Sequence, residues 1–245
     1  MCLATILPLL ACSAKQPPEV TVQQADAAAD HFRAAEDYSR EGRHHDAIAE
    51  YREVLRIDPN QVASWFNVGN EFYKIRDYSR ATRSYQTAIK LDPEHRKAYN
   101  NLGIALTDAG EADQAVVVLR RATALDPGYV NAWINLALAY YELEQFPKAA
   151  LTLREALEVD PESADAYANL GNTYAVQKLY PEAIEAYQKA LRLNPDDANT
   201  YFNLGSTYAR MGLPKEAAAQ AQRLEALDPL KADTLRRRVQ LSSPL

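Results

Sequence analysis

The side chains best suited to chemistry are few, and none is arranged for catalysis. His31, His44, His45 and His95 are the only histidines, and no two stand four apart, the spacing that puts a pair of imidazoles on one helix face around a metal. His44 and His45 are adjacent, so on a helix they point about 100° apart, and with Asp46 they read as a solvated turn. No glycine-rich phosphate loop, no Gly-x-Ser-x-Gly elbow and no cysteine nucleophile occurs in the body of the chain. No catalytic residue, cofactor or metal site is therefore expected. What does recur is an amide series: Asn67, Asn101, Asn135, Asn169 and Asn203 are each 34 residues apart, with Arg33 one step earlier. An amide both donates and accepts hydrogen bonds, so a ladder of them can hold an extended peptide backbone without reading its side chains.

The elements that must position this ladder follow the same period. Pro59, Pro93, Pro127, Pro161, Pro195 and Pro229 are 34 apart, five preceded by Asp and Pro195 by Asn. Ending each unit two residues after its proline divides the chain into 28–61, 62–95, 96–129, 130–163, 164–197 and 198–231, with no insertion. Trp65, Val68 and Phe72, and their equivalents down the chain, lie at i, i+3 and i+7, one apolar stripe along a first helix. Gly69, Gly103, Gly171 and Gly205 stand beside the stripe, with Ala35 and Ala137 in the other units, and let a second helix come close. That second helix carries Ala47, Ala81, Ala115, Ala149, Ala183 and Ala217, followed four residues on by Tyr51, Tyr85, Leu119, Leu153 and Tyr187. Gly42, Gly110 and Gly212 suit the turn between the two helices. The residue before each proline is pushed out of the α region, which ends the second helix.

On these residues the unit AWINLALAYYELEQFPKAALTLREALEVDP resembles a tetratricopeptide repeat. The resemblance covers 204 of the 245 residues and implies an all-α, right-handed α-solenoid of six helix-turn-helix units, first helices lining a concave groove and second helices its convex back. Such arrays are stable through nearest-neighbour stacking, and their end units need polar caps. His31, Ala34 and Ala35 degrade the pattern in the first unit, as an N-terminal cap would. Residues 232–245 read as a C-terminal capping helix and tail, with Ala232, Leu235 and Val239 on one face and Arg236, Arg237 and Arg238 largely off it. A solvated cap face and an anion or lipid-headgroup contact are both open for the three arginines.

The expected peptide-binding groove contains Arg33, Asn67, Asn70, Tyr73, Lys74, Lys97, Asn101, Asn135, Tyr141, Asn169 and Asn203. General scaffold usage competes with ligand binding for the asparagines, since the family favours Asn at that position. Arg33, Arg40, Lys74 and Lys97 outnumber Glu36 and Asp108 over the first three units, which suggests that end for an acidic or C-terminal carboxylate ligand. The clamp by which cochaperones of the family grip a chaperone's C-terminal carboxylates is not expected: its frame here holds Phe66, Asn70, Asn101, Asn131 and Asn135, without the cations. A net charge of −6 also argues against nucleic acid as a partner.

The two cysteines, Cys2 and Cys12, precede the repeats. Residues 2–11 form an apolar run of signal-peptide length ending at Leu9-Leu10-Ala11-Cys12, which resembles the lipobox of a bacterial lipoprotein. That resemblance implies removal of residues 1–11, lipid attachment at Cys12, and a tether over 12–27. Ser13 after the cysteine favours the outer membrane, periplasmic face. The combined expectation is a non-catalytic scaffold, lipid-anchored in the periplasm, that binds a protein or extended peptide and serves envelope complex assembly, with a layout like the pilotins of type IV pilus secretins. The alternatives are a substrate-recruiting accessory subunit of an enzyme such as a glycosyltransferase, or a soluble cytosolic adaptor if Cys12 is not processed.

Overall fold

A computed structural model describes residues 21–242 of the chain, with side chains through residue 240; Cys12 and the lipobox lie outside the described residues. The described residues form thirteen α-helices and no strand. First helices α1 (Val22–Arg40), α3 (Val62–Lys74), α5 (Arg96–Asp108), α7 (Val130–Glu142), α9 (Ala164–Val176) and α11 (Ala198–Arg210) alternate with second helices. These are α2 (His44–Ile57), α4 (Tyr78–Leu91), α6 (Ala112–Leu125), α8 (Phe146–Val159), α10 (Tyr180–Leu193) and α12 (Pro214–Leu227), and α13 (Pro229–Ser242) closes the array. Each helix packs on the next in sequence, and first helices also touch the first helices of neighbouring units from α3 through α11. Because the second helices make no comparable contact with one another, the stack curves with the first helices inside.

Small residues against large ones set the distance within each hairpin. The six alanines Ala47 to Ala217 are all fully buried. A Cβ added at Gly69 would lie 2.6 Å from the Tyr85 ring, and one at Gly171 would lie 2.5 Å from that of Tyr187; at Gly103 it would collide with Leu119. The sixth unit has Ala221 where the others carry Tyr or Leu. There the close contact to Gly205 comes instead from Leu235 of α13, which is itself fully buried. The C-terminal helix thus supplies the large residue that its neighbouring hairpin lacks.

The turns have one geometry. The second residue of every turn within a hairpin has positive φ: Gly42, Gly110 and Gly212 at 74°, 81° and 72°, and Arg76, Glu144 and Lys178 at 60°, 56° and 62°. The amide of the next residue then bonds a carbonyl five residues back, as Asp77 does to Phe72 at 2.9 Å, closing the helix end in a Schellman arrangement. At the repeat boundaries Asp58, Asp92, Asp126 and Asp160 are extended C-caps. Each carboxylate accepts the amide two residues on, at 3.0–3.1 Å. The acid before the proline therefore builds an Asx turn, while the proline bars the helix from continuing.

Two boundaries differ from expectation. The helix α1 begins at Val22, inside the segment expected to be tether, because Thr21 and Gln24 form a reciprocal capping box. Helix α13 begins at Pro229, three residues ahead of the expected cap. Asp228 here takes the Lys231 amide at 3.0 Å and its ammonium at 2.6 Å, so the Asp-Pro pair that elsewhere makes a turn starts a helix directly, with proline in the first position where its missing N–H costs nothing.

The turn geometry has a measurable consequence. Glu144→Gly and Lys178→Gly each relieve a left-handed non-glycine residue and are expected to raise unfolding free energy by about 0.5–1 kcal/mol, whereas Gly110→Ala lowers it by about 1 kcal/mol. Gly103→Ala, which must push Leu119 aside, costs about 2 kcal/mol. Chemical denaturation of the four variants checks the order.

Candidate functional site

Two cavities open on the inner face. The first, about 700 Å³, has walls from α1, α3 and α5 and a floor formed by Tyr51 and Tyr85 of the second helices. It brings together Asn67, Asn70, Tyr73, Lys74 and Asn101. The second, about 380 Å³, includes Tyr141, Asn169 and Asn203. Both fall in the size range of small-ligand and side-chain pockets. Arg33, Lys97 and Asn135 line neither cavity.

The amide ladder spends part of its hydrogen-bonding capacity on the scaffold. Asn101 Nδ2 donates to Asn70 Oδ1 at 2.9 Å, and the Tyr85 hydroxyl donates to the same oxygen at 2.9 Å. The arrangement repeats 102 residues later, where Asn203 Nδ2 and the Tyr187 hydroxyl both donate to Asn172 Oδ1 at 2.9 Å. Asn135 Nδ2 reaches Asn100 Oδ1 at 2.9 Å. These three ladder residues therefore tie adjacent first helices together. Asn169 instead donates to the Asp165 carbonyl of its own helix at 2.9 Å, and Asn67 accepts from Asn70 at 3.4 Å. Since a side-chain amide carries two N–H donors and a carbonyl with two lone pairs, a bridging asparagine retains capacity for a ligand.

Tyr85 and Tyr187 are 1% exposed, yet their hydroxyls surface at the cavity floors. Burial raises the pKa of both, so each stays protonated and can donate across the neutral range. Tyr51 is pushed up to about 12 by burial and then by the Glu36 and Glu71 carboxylates. Tyr73, which lines the first cavity, is also at about 12, raised by burial and by its 2.6 Å hydrogen bond to Asp108.

Glu71 is the residue that the spacing did not single out. Its side chain is 3% exposed, in a position held by Ala105 and Ala139 in the next two units. Ser39 Oγ donates to it at 2.6 Å, Lys74 Nζ at 2.8 Å, and His44 Nδ1 lies 2.7 Å from its other oxygen. Desolvation disfavours its charge, but the hydrogen bonds from Lys74, Ser39 and His44 outweigh burial and hold its carboxyl below the usual range. His44, expected in a solvated turn, thus belongs to a buried ion cluster joining the first two units. Among the described residues no group of three or more His, Cys, Asp or Glu is placed to hold a metal ion.

Other polar residues in the cavities, Asn172, Ser206, Arg210 and Arg238, also escaped the spacing argument. Asn172 was accessible in principle, being the partner of Asn70 three units on. Arg238 was not, since nothing local shows which face of α13 meets α11.

A curved stack of helical hairpins with a polar, hydroxyl-and-amide-lined inner face defines a repeat scaffold. The chain belongs to the tetratricopeptide-repeat family: residues 60–243 match the family model of the cilia and flagella-associated protein 70 C-terminal domain, and residues 31–61 match that of the tetratricopeptide repeat. No curated protein matches it. Among solved structures, MamA is 27% identical over 71% of this chain and 96% of its own, with a TM-score of 0.63. PilW, a type IV pilus biogenesis factor, is 20% identical over 85% and 97%, with a TM-score of 0.76. YrrB, a TPR protein with an unusual peptide-binding site, is 23% identical over 73% and 92%, with a TM-score of 0.59. The last two are likenesses of fold.

The Glu71 cluster predicts a pH-dependent stability. Because the folded pKa lies below the unfolded one, the cluster's contribution is complete above the unfolded carboxylate range and is lost as pH falls through the folded value. Glu71→Gln is expected to cost about 2 kcal/mol at pH 7, and the gap to wild type should close on titration toward pH 3. Denaturation midpoints measured across that range test it.

Proposed function

We propose that the chain is a non-catalytic scaffold that holds an extended segment of a partner protein in its concave groove. The observation that carries this reading is the first cavity, whose Asn67, Asn70 and Asn101 amides and Tyr51 and Tyr85 hydroxyls present donors and acceptors to a peptide backbone along one open face. Amide and aromatic groups on rigid helices are preorganised, which lowers the ordering cost of binding. The peptide-binding site for which YrrB is described supports the same use of the fold.

The scaffold acts, in this reading, at the bacterial outer membrane. The Leu9-Leu10-Ala11-Cys12 motif supplies the lipid attachment site, and more than one acyl chain makes such anchoring stable. A periplasm-facing groove near the membrane suits assembly of an envelope complex, and the fold shared with the pilus biogenesis factor PilW is consistent with that setting.

Both parts can be checked separately. A photo-crosslinking residue at Asn67, inside the groove, should capture a partner that the same residue at exposed Arg83 on α4 does not; identical captures from both positions would reject the groove. Acyl labelling and membrane retention should both be lost in Cys12→Ser, and a variant that stays membrane-bound and labelled removes the lipoprotein assignment.

A further inference from the structure

The cations along the groove change their partners from one end to the other. Near the first cavity, Arg33 pairs with Asp30 at 2.5 Å, Arg40 with Asp37 at 2.5 Å, and Lys74 with Glu71 at 2.8 Å. Their charge is cancelled by acids three residues away on the same helices. The cationic character that the sequence suggests for this end is thus largely internal. At the other end, Arg210 of α11 and Arg238 of α13 line the second cavity, and neither forms an ion pair among the described residues. Glu142 shares the cavity but pairs with neither, which leaves one net positive charge.

Arg238 is held in place. Its Nη1 donates to Ser206 Oγ at 2.7 Å, and its guanidinium sits 5.1 Å from the centroid of the Phe202 ring. The helix phase explains why: Leu235 is locked against Gly205, and a residue three further on falls on the same side of the helix. Arg236, by contrast, is spent on Glu225 and Asp233. The Arg210 charge also reaches the cavity, since it opposes the effect of burial, which raises the Tyr141 hydroxyl. Asn169 and Asn203 line the same cavity, so a peptide backbone lying along them would carry its side chains past both guanidinium groups.

We infer that the second cavity is a carboxylate subsite, in which Arg210 and Arg238 take an aspartate or glutamate side chain of the bound peptide, so that the last repeat and the C-terminal helix together select an acidic segment. The inference rests on the peptide-binding reading of the groove. Guanidinium groups bind carboxylates through charge-assisted, directional hydrogen bonds; both are exposed to an incoming side chain, and Arg238, held by Ser206 and Phe202, needs little rearrangement to make them.

The probe is an array of C-terminally amidated decapeptides of varied sequence, graded in Asp and Glu content, with each acidic member matched by its Asn/Gln counterpart, titrated against the full chain. Acidic peptides should bind about tenfold or more tightly than their amide counterparts, with affinity falling as salt is raised. Arg210→Ala should weaken the acidic peptides about five- to tenfold and leave the neutral ones unchanged. The Arg210 side chain makes no hydrogen bond or ion pair among the described residues, so this variant separates recognition from folding; Arg238→Lys serves the same purpose on α13. Equal binding of acidic and neutral peptides, indifference to Arg210→Ala, or a preference that appears only when a free C-terminal carboxylate is restored each overturns the subsite. If no peptide binds and Asn67 captures no partner, the groove reading itself falls; peptides that bind without regard to acid reject the carboxylate subsite alone.

Discussion

The array depends on how closely two helices of a hairpin can approach. At Gly69, Gly103 and Gly171 there is no room for a methyl group, because Tyr85, Leu119 and Tyr187 already occupy it. That contact fixes the separation of the pair, hence the angle at which the next pair stacks, and hence the curvature that makes one face concave. Packing at crystal-like density tolerates little change in volume at such points. Where the sixth unit lacks the large residue, α13 inserts Leu235, and the same rule that spaces the repeats also seats the final helix.

On the inner face, the tyrosines that fill these contacts do a second thing. Their rings are core, and their hydroxyls emerge beside the asparagines of the neighbouring first helix. The Tyr85–Asn70–Asn101 and Tyr187–Asn172–Asn203 groups are the same device placed three units apart. They bind adjacent repeats together: the Asn70 and Asn172 carbonyls have both lone pairs taken, while their remaining N–H groups and the carbonyls of Asn101 and Asn203 keep capacity for a ligand. Scaffold and ligand roles for the asparagines are therefore compatible, since one amide has enough hydrogen-bonding positions for both.

Charge is distributed differently along the two halves. The first half turns its ionic groups inward on each other, above all around Glu71, whose buried carboxylate joins α1, α2 and α3 through Ser39, His44 and Lys74. Removing two charges from water is tolerable only with such complete pairing. Among the described residues the second cavity is lined by two arginines that form no ion pair, one of them supplied by a helix outside the repeats. A solenoid built from near-identical units thus acquires direction, with a neutralised cavity at one end and a cationic one at the other.

The sequence by itself determined the period, the helical hairpin and the small-against-large contacts, because each of these is written in residues at a set spacing: the prolines 34 apart, the glycines, the alanines and the aromatic knobs. It also placed Asn67, Asn101, Asn135, Asn169 and Asn203 on first helices. The positive φ at Arg76, Glu144 and Lys178 could be inferred only by alignment with Gly42, Gly110 and Gly212, since nothing in those side chains favours it. What only the tertiary structure decided are contacts between residues 27 to 35 apart: His44 with Glu71, Tyr73 with Asp108, Asn203 with Asn172, Arg238 with Ser206. Repeat spacing says which residues share a helix face, but not which polar groups on neighbouring faces meet or cancel. That depends on the offset between stacked helices, and at α13 on a helix phase set by Leu235 packing against Gly205.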